Sequence, residues 1–303
     1  MTPAGSCEPL CQGGPCSAHL LAPLDGEVQA LRVDATHVYW IEGQGKPNRI
    51  RRVPRDGGSA ETLVADAKLA IDLVLVGDFV FWSEYVALSS PNTPGRIVRM
   101  SLDATDMQTL VDGLGSPTAI TSDGSHVYWF EVSDGELARV PINGGPPEVL
   151  DGTLYKFSVG DMKVDDSFLY FSAGPWAGPS AGVAQYAKAG GEIGMFLDSL
   201  SEAGPIALDD TFVYAASVGD SIRRAPKLGG EQQAVVQDAG IGRALAVDAN
   251  ALYYFGSSGL HRLCKEGSSA PLVLAAGASG SRIAVDDAAV YFDDGGNLWR
   301  IDK

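Results

Sequence analysis

Four acidic residues each follow an aromatic pair by the same short interval: Glu42 after Tyr39-Trp40, Glu84 after Phe81-Trp82, Glu131 after Tyr128-Trp129, and Asp294 after Tyr291-Phe292. Carboxylates gathered onto one face in this way suit a cation or a cationic peptide, which they would hold through oxygen ligands or ion pairs. Each acid also has an arginine in its own repeat, Arg52, Arg99, Arg139 or Arg300, so a set of internal ion pairs is the simpler reading. A second series of acids, Asp34, Asp123, Asp165, Asp209, Asp248 and Asp286, closes an apolar run and opens a short polar turn. An aspartate there accepts backbone N–H bonds in an Asx turn, and its regular recurrence argues for a building role over a unique active site.

Other chemistry is sparse. Of the four histidines, His19, His37, His126 and His261, the second and third occupy equivalent turns two repeats apart, a gap far longer than a metal–ligand bond. No G-x-S-x-G, H-E-x-x-H, phosphate loop or dinucleotide fingerprint is present. Asp72, Asp161, Glu42 and Glu131 are the oxygen donors a single Ca²⁺ would need in a metal-dependent lyase or hydrolase; no other cofactor is indicated. Large aromatics in the segments between strands, Tyr85, Tyr155, Phe157 and Trp176, suit a recognition surface, with Glu42, Glu84 and Glu131 on the same face.

The cysteines are lopsided, with Cys7, Cys11 and Cys16 at the start and Cys264 far away. Their spacing is not that of a common zinc site, and it resembles part of a small extracellular disulfide element. Residues 1–6 have neither a basic nor an apolar signal region, so an export signal is expected to have been removed. The expected setting is extracellular or periplasmic.

These residues are positioned by a repeat. An apolar-x-apolar run, usually Asp, a polar turn and an aliphatic-aromatic-aromatic triplet recur with anchors Tyr39, Phe81, Tyr128, Tyr170, Tyr214, Tyr253 and Tyr291, 38 to 47 residues apart. Each copy continues with an aliphatic-x-Arg segment such as Ile97-Val98-Arg99, a Gly-rich turn such as Asn143-Gly144-Gly145, and a short closing strand. Period-2 alternation with β-branched and aromatic residues makes all four segments strands. The expectation is an all-β, seven-bladed β-propeller with four antiparallel strands per blade. Its last repeat stops after three strands at Lys303, and residues 17–22 can supply the fourth and close the ring. The propeller is thus expected over 17–303, behind a cysteine-containing segment at 1–16.

Tyr39-Trp40-Ile41-Glu42, Phe81-Trp82-Ser83-Glu84 and Tyr128-Trp129-Phe130-Glu131, each followed by an arginine strand and a glycine turn, resemble the YWTD repeats of low-density-lipoprotein-receptor-type propellers. The resemblance covers 17–303 and implies a propeller in an extracellular setting. Receptor propellers of this type have six blades where seven are counted here. Glu also replaces the motif's Asp, and repeats four to six lack the acid.

Composition narrows the function. Lys and Arg total 22 against 38 Asp and Glu, a net charge of −16 that opposes nucleic acid and anionic membranes. No apolar stretch is long enough to span a bilayer. The expected function is non-catalytic recognition of a peptide, protein or glycan by a monomer. The expected surface is the face of blades two to four, where long connections surround Glu84-Tyr85, Tyr155-Lys156-Phe157-Asp161 and Trp176. The alternative is a Ca²⁺-dependent lyase or hydrolase acting at the central channel. Near blades six and seven, Cys264 is expected to bond one of Cys7, Cys11 or Cys16, Cys11 slightly favoured, leaving the other two paired.

Overall fold

A strand that is apolar at every position needs cover on both faces. The second strand of each repeat is of this kind, and in Phe79–Glu84, His126–Glu131 and Ala251–Gly256 nearly every residue is buried. Successive side chains point to opposite faces, so the two aromatics of a motif serve different neighbours. Tyr128 packs between blades three and four while Trp129 packs between two and three; Tyr253 and Tyr254 divide in the same sense. The core is therefore a set of seven layers between blades.

The computed structural model describes residues 16–43, 47–85, 94–154, 157–175, 181–237, 240–265 and 270–303. It is a ring of seven four-stranded antiparallel sheets, the seven-bladed propeller expected. The inner strands are Glu27–Val33, Ala70–Val76, Pro117–Ser122, Phe157–Val164, Ala203–Leu208, Leu245–Val247 and Ile283–Val285. The ring closes as expected, with the N-terminal strand Ala18–Pro23 antiparallel to Asn297–Asp302 as the outer strand of blade seven. Paired glycines turn the chain between the third and fourth strands; Gly144 and Gly145, for example, have φ of 85° and 140°, which a side chain disfavours.

The aspartate following the inner strand has the expected turn role in six blades, and in five of them a further one. Asp209 accepts the Thr211 and Phe212 amides at 2.8 and 2.7 Å, and the Tyr214 hydroxyl at 2.8 Å. Its second oxygen also meets Lys265 of the next blade at 2.7 Å. The same cross-blade pair joins Asp123 to Lys188, Asp165 to Lys227, Asp248 to Lys303 and Asp286 to Arg55. Leu102 and Ile142 take the cation's place after blades one and two, where they pack into the interblade layers. Blade two also replaces the Asx turn with a tighter one through Gly77, at φ 54°.

Burial opposes ionisation of Asp34, Asp123, Asp165, Asp209 and Asp248, but the amide bonds, and the cation wherever one is present, outweigh it and hold all five below the usual carboxylate range. A depressed carboxyl pKa contributes stability that is present above the unfolded value of 3.8 and is lost as pH falls through the folded value. Burial and the Asp bond push Tyr39 and Tyr128 up to about 12, so their contribution is present below pH 10 and lost as pH rises toward 12. The expected melting curve is flat from about pH 5 to 9, drops below about pH 4 and drops again above pH 10. Asp209→Asn is expected to lower the plateau and soften the acid limb. An unchanged acid limb in that variant, measured by calorimetry, would contradict the account.

Candidate functional site

The seven inner strands enclose a central channel of about 710 Å³. Its lower end, beside the aspartate turns, is lined by aliphatic residues including Val33, Val164, Leu208, Val247 and Val285. Its upper part carries Arg32, Lys163, Arg243 and Arg282 together with Asp72 and Asp161. Both carboxylates are engaged. Asp72 pairs with Arg32 at 2.8 Å and accepts the Ile120 amide of blade three at 3.2 Å. Asp161 pairs with Lys163 and accepts the Ile206 amide of blade five at 2.9 Å. Each amide lies at an irregularity in its own strand's ladder, so a carboxylate from the preceding blade satisfies it.

At the equivalent place in blade seven stands Arg282, whose Nε donates to the Gln29 carbonyl of blade one at 2.6 Å. Burial lowers its pKa, with Arg32 acting in the same direction and Asp72 against it. Arg243 lies toward the mouth and pairs with Glu202 at 2.8 Å, both largely exposed. Only Asp72 and Asp161 of these residues were singled out from sequence. The readable signal for Arg243 and Arg282 is a lone cation just before the apolar run of an inner strand.

The acids expected to form a surface arc are interior groups. Glu42, Glu84 and Glu131 are 0, 2 and 2% exposed. Glu42 accepts from Trp40 Nε1 at 2.8 Å and pairs with Arg49 and Arg51; Glu84 accepts from Trp82 Nε1 at 2.9 Å and pairs with Arg96. Glu131 accepts the Ser116 amide and the Ser133 hydroxyl. The expected pairing with Arg52, Arg99, Arg139 and Arg300 is corrected. In the hairpin register Glu42 lies opposite Arg49, while Arg52 lies opposite Tyr39, about 10 Å along the strand. Arg52 and Arg99 reach Glu61 and Asp106 instead, and donate to the Leu102 and Ile142 carbonyls of the following blade. Arg139 pairs with Glu148, and Arg300 with Asp56 and Asp302.

In blade seven Asp293, 1% exposed, takes the place expected of Asp294, because the second strand ends at Asp293. Asp293 accepts the Ser281 and Arg282 amides, while Asp294 caps its own turn and accepts from Trp299. Ser172 and Ser217 do comparable work in blades four and five, which lack the acid: they accept the Asp161 and Ser201 amides.

The four oxygen donors expected of a Ca²⁺ site are not brought together: Asp72 and Asp161 face the channel, whereas Glu42 and Glu131 are buried within their blades. Among the described residues no three His, Cys, Asp or Glu side chains are grouped to hold a metal. His37 and His126 sit in lower turns beside Thr36 and Ser125, His261 stacks on Tyr254, and His19 lies near Asp302. Tyr85 is half-buried just past Glu84, at the start of the ten-residue connection to Gly95. Phe157 and Asp161 belong to an inner strand and not to a loop, because the ladder begins at Phe157 opposite Pro175. That pairing carries blade four's hairpin two positions beyond the equivalent end at Pro117–Glu131 in blade three. Tyr155, Trp176, Cys7 and Cys11 lie outside the described residues.

No family model and no curated protein matches the chain. Solved structures do. Virginiamycin B lyase from Staphylococcus aureus aligns with TM-score 0.70 and 16% identity over 95% of this chain and 98% of that one. The nidogen/laminin complex aligns at 0.55 and 16% over 76% and 89%. The extracellular domain of a hybrid two-component system protein from B. thetaiotaomicron aligns at 0.70 and 12% over 94% and 39%. At these identities the likeness is one of fold, and the proteins sharing it include both a lyase and a member of a protein complex.

Truncation of a buried acid tests whether it builds the fold. Glu84→Ala leaves the Trp82 indole and the Arg96 guanidinium without their carboxylate, and is expected to cost about 2–4 kcal/mol in denaturant unfolding. Asp106→Ala, at an exposed pair with Arg99, is expected to cost below about 1 kcal/mol. Equal effects would return Glu84 to the list of surface ligands.

Proposed function

We propose that this protein is a non-catalytic binding propeller of the cell exterior or periplasm that recognises a peptide, protein or glycan. The recognition surface is the upper face at blades two to four, beside the channel mouth. The observation that carries the reading is the asymmetry of the ring. The lower face is tied by repeated turns and cross-blade ion pairs, whereas in blade two a ten-residue connection separates Glu84 from Gly95, and blade four's first hairpin extends two positions beyond that of blade three. Variable connections on a rigid scaffold are where recognition residues concentrate. Tyr85, Tyr155, Phe157 and Trp176 remain the aromatic residues assigned to this surface. Glu42, Glu84 and Glu131 shape it from beneath through the hydrogen bonds of their buried carboxylates.

The Ca²⁺-dependent lyase alternative draws support from a lyase's sharing the fold. It is the weaker reading, because its proposed oxygen donors are separated and none of the four histidines is among the residues lining the channel. Glycan and peptide arrays probed with the intact chain, and with a variant in which residues 86–93 are replaced by a short Gly-Ser turn, test the binding reading. The expected result is one retained ligand class, lost in the variant while its melting temperature stays within a few degrees. Turnover of the retained ligand, or retention unaffected by the loop exchange, would overturn it.

The cysteines belong to the same reading. Cys264 ends the third strand of blade six, and Cys16 packs against the layer between blades six and seven. A bond from Cys264 to one of Cys7, Cys11 or Cys16, with the other two paired, would tie the chain's start to the ring. Loop closure over so long a span is worth roughly 4–5 kcal/mol at most. Non-reducing peptide mapping is expected to recover Cys264 in a cross-linked peptide; a free Cys264 thiol in protein made under oxidising conditions rejects the link and weakens the exported setting.

A further inference from the structure

We infer that the central channel binds the C-terminal carboxylate of a peptide ending in an aliphatic residue, with Arg282 as the principal contact and Arg32 and Arg243 flanking it. The inference rests on the binding reading above and gives it a chemical class.

Charge is the first argument. A chain of net −16 places four cations and only two carboxylates along its channel. Arg243, Arg282 and Arg32 come from blades six, seven and one, which are consecutive around the ring, so they form one continuous arc. Asp72 and Asp161 offset Arg32 and Lys163, so the excess positive charge of the recess stands at Arg282 and Arg243, where apolar walls concentrate its field on an anion.

The second argument is which groups are already committed. Asp72 and Asp161 each hold a cation with one oxygen and a neighbouring blade's amide with the other. Arg282 spends Nε and Nη1 on the Gln29 and Ser281 carbonyls, at 2.6 and 2.7 Å, both neutral acceptors. Among the described residues its Nη2 makes no hydrogen bond and no carboxylate lies within ion-pair distance, while Asp72, Asp293 and Asp161 act on its charge only from farther away. Burial has lowered its pKa, so an incoming anion would compensate a guanidinium that is already desolvated. Among the described residues Arg243 is held only by an exposed pair with Glu202, which costs little to exchange.

The third argument separates peptide from sugar. Below the cations the wall turns aliphatic, at Val33, Val164, Leu208, Val247 and Val285. A carboxylate flanked by a small aliphatic side chain matches both zones, whereas a uronic acid would set hydroxyls against the valines without partners. A volume near 710 Å³ accommodates a dipeptide.

Calorimetric titration of the full chain with N-acetyl-Ala-Val as the free acid, the same peptide as its C-terminal amide, and glucuronate tests the inference. The free acid is expected to bind, with the amide about tenfold weaker or worse and glucuronate no better than the amide. Arg282→Gln is expected to erase the preference for acid over amide, and Arg282→Lys to keep part of it. Because Arg282 also links blade seven to blade one, Arg243→Gln serves as the second variant; it is expected to weaken the acid severalfold at an unchanged melting temperature. Equal binding of acid and amide, glucuronate binding in preference to the peptide, or no binding of any probe would each overturn the channel assignment. An array ligand held as tightly by Arg282→Gln as by the unaltered chain would leave the binding reading standing and remove only this inference.

Discussion

In five of the seven blades a carboxylate at the end of the inner strand satisfies its own turn and still holds the next blade. Asp123, Asp209 and Asp248 meet both demands, giving one oxygen to two backbone amides and the other to a tyrosine hydroxyl and a neighbouring cation. The tyrosine that donates this bond packs toward the same neighbour, and Lys303 lies 5.1 Å over the Tyr253 ring. Turn, aromatic layer and ion pair are therefore coupled: loosening the turn releases the residues that close the interface. Where the cation is absent, Leu102 and Ile142 bury apolar surface in its place, and Arg52 and Arg99 reach over to bond their carbonyls.

This coupling stabilises one face and leaves the other free to vary. The upper connections are held from beneath by Glu42, Glu131, Asp293 and Ser217, each accepting an amide at or near the entry to an inner strand, and by Ser172, which accepts the Asp161 amide within one. A serine can replace a glutamate there because the requirement is for an acceptor, and charge is secondary. Loops anchored in this way can change length above their anchors without disturbing the interblade layers. Structures of similar fold that differ in activity are the natural consequence.

The channel shows how a ring creates a local environment opposed to the whole. The chain's excess of acid is spent largely on turns, hairpin pairs and exposed surfaces. At the axis, inner-strand irregularities call for carboxylates in blades two and four and are met by an arginine in blade seven. The result is a cationic arc within an acidic molecule.

The repeat was legible in the sequence because its cause is local. A strand buried on both faces must be apolar throughout, a turn must carry Asp or Gly, and a missing last strand must be supplied from the other end. Tyr39-Trp40, Asp209 and residues 17–22 therefore announce blade, turn and closure by themselves. The partners of the acids were not legible. Glu42 meets Arg49 and not Arg52 because hairpin register decides which side chains stand opposite, and the end of a single strand exchanges Asp294 for Asp293. The channel was the least legible part. Arg32, Arg243 and Arg282 are scattered through the chain, and each alone looks like one more surface cation. Only closure of seven sheets around an axis sets them side by side, because ring geometry fixes the neighbours of residues that the chain keeps far apart.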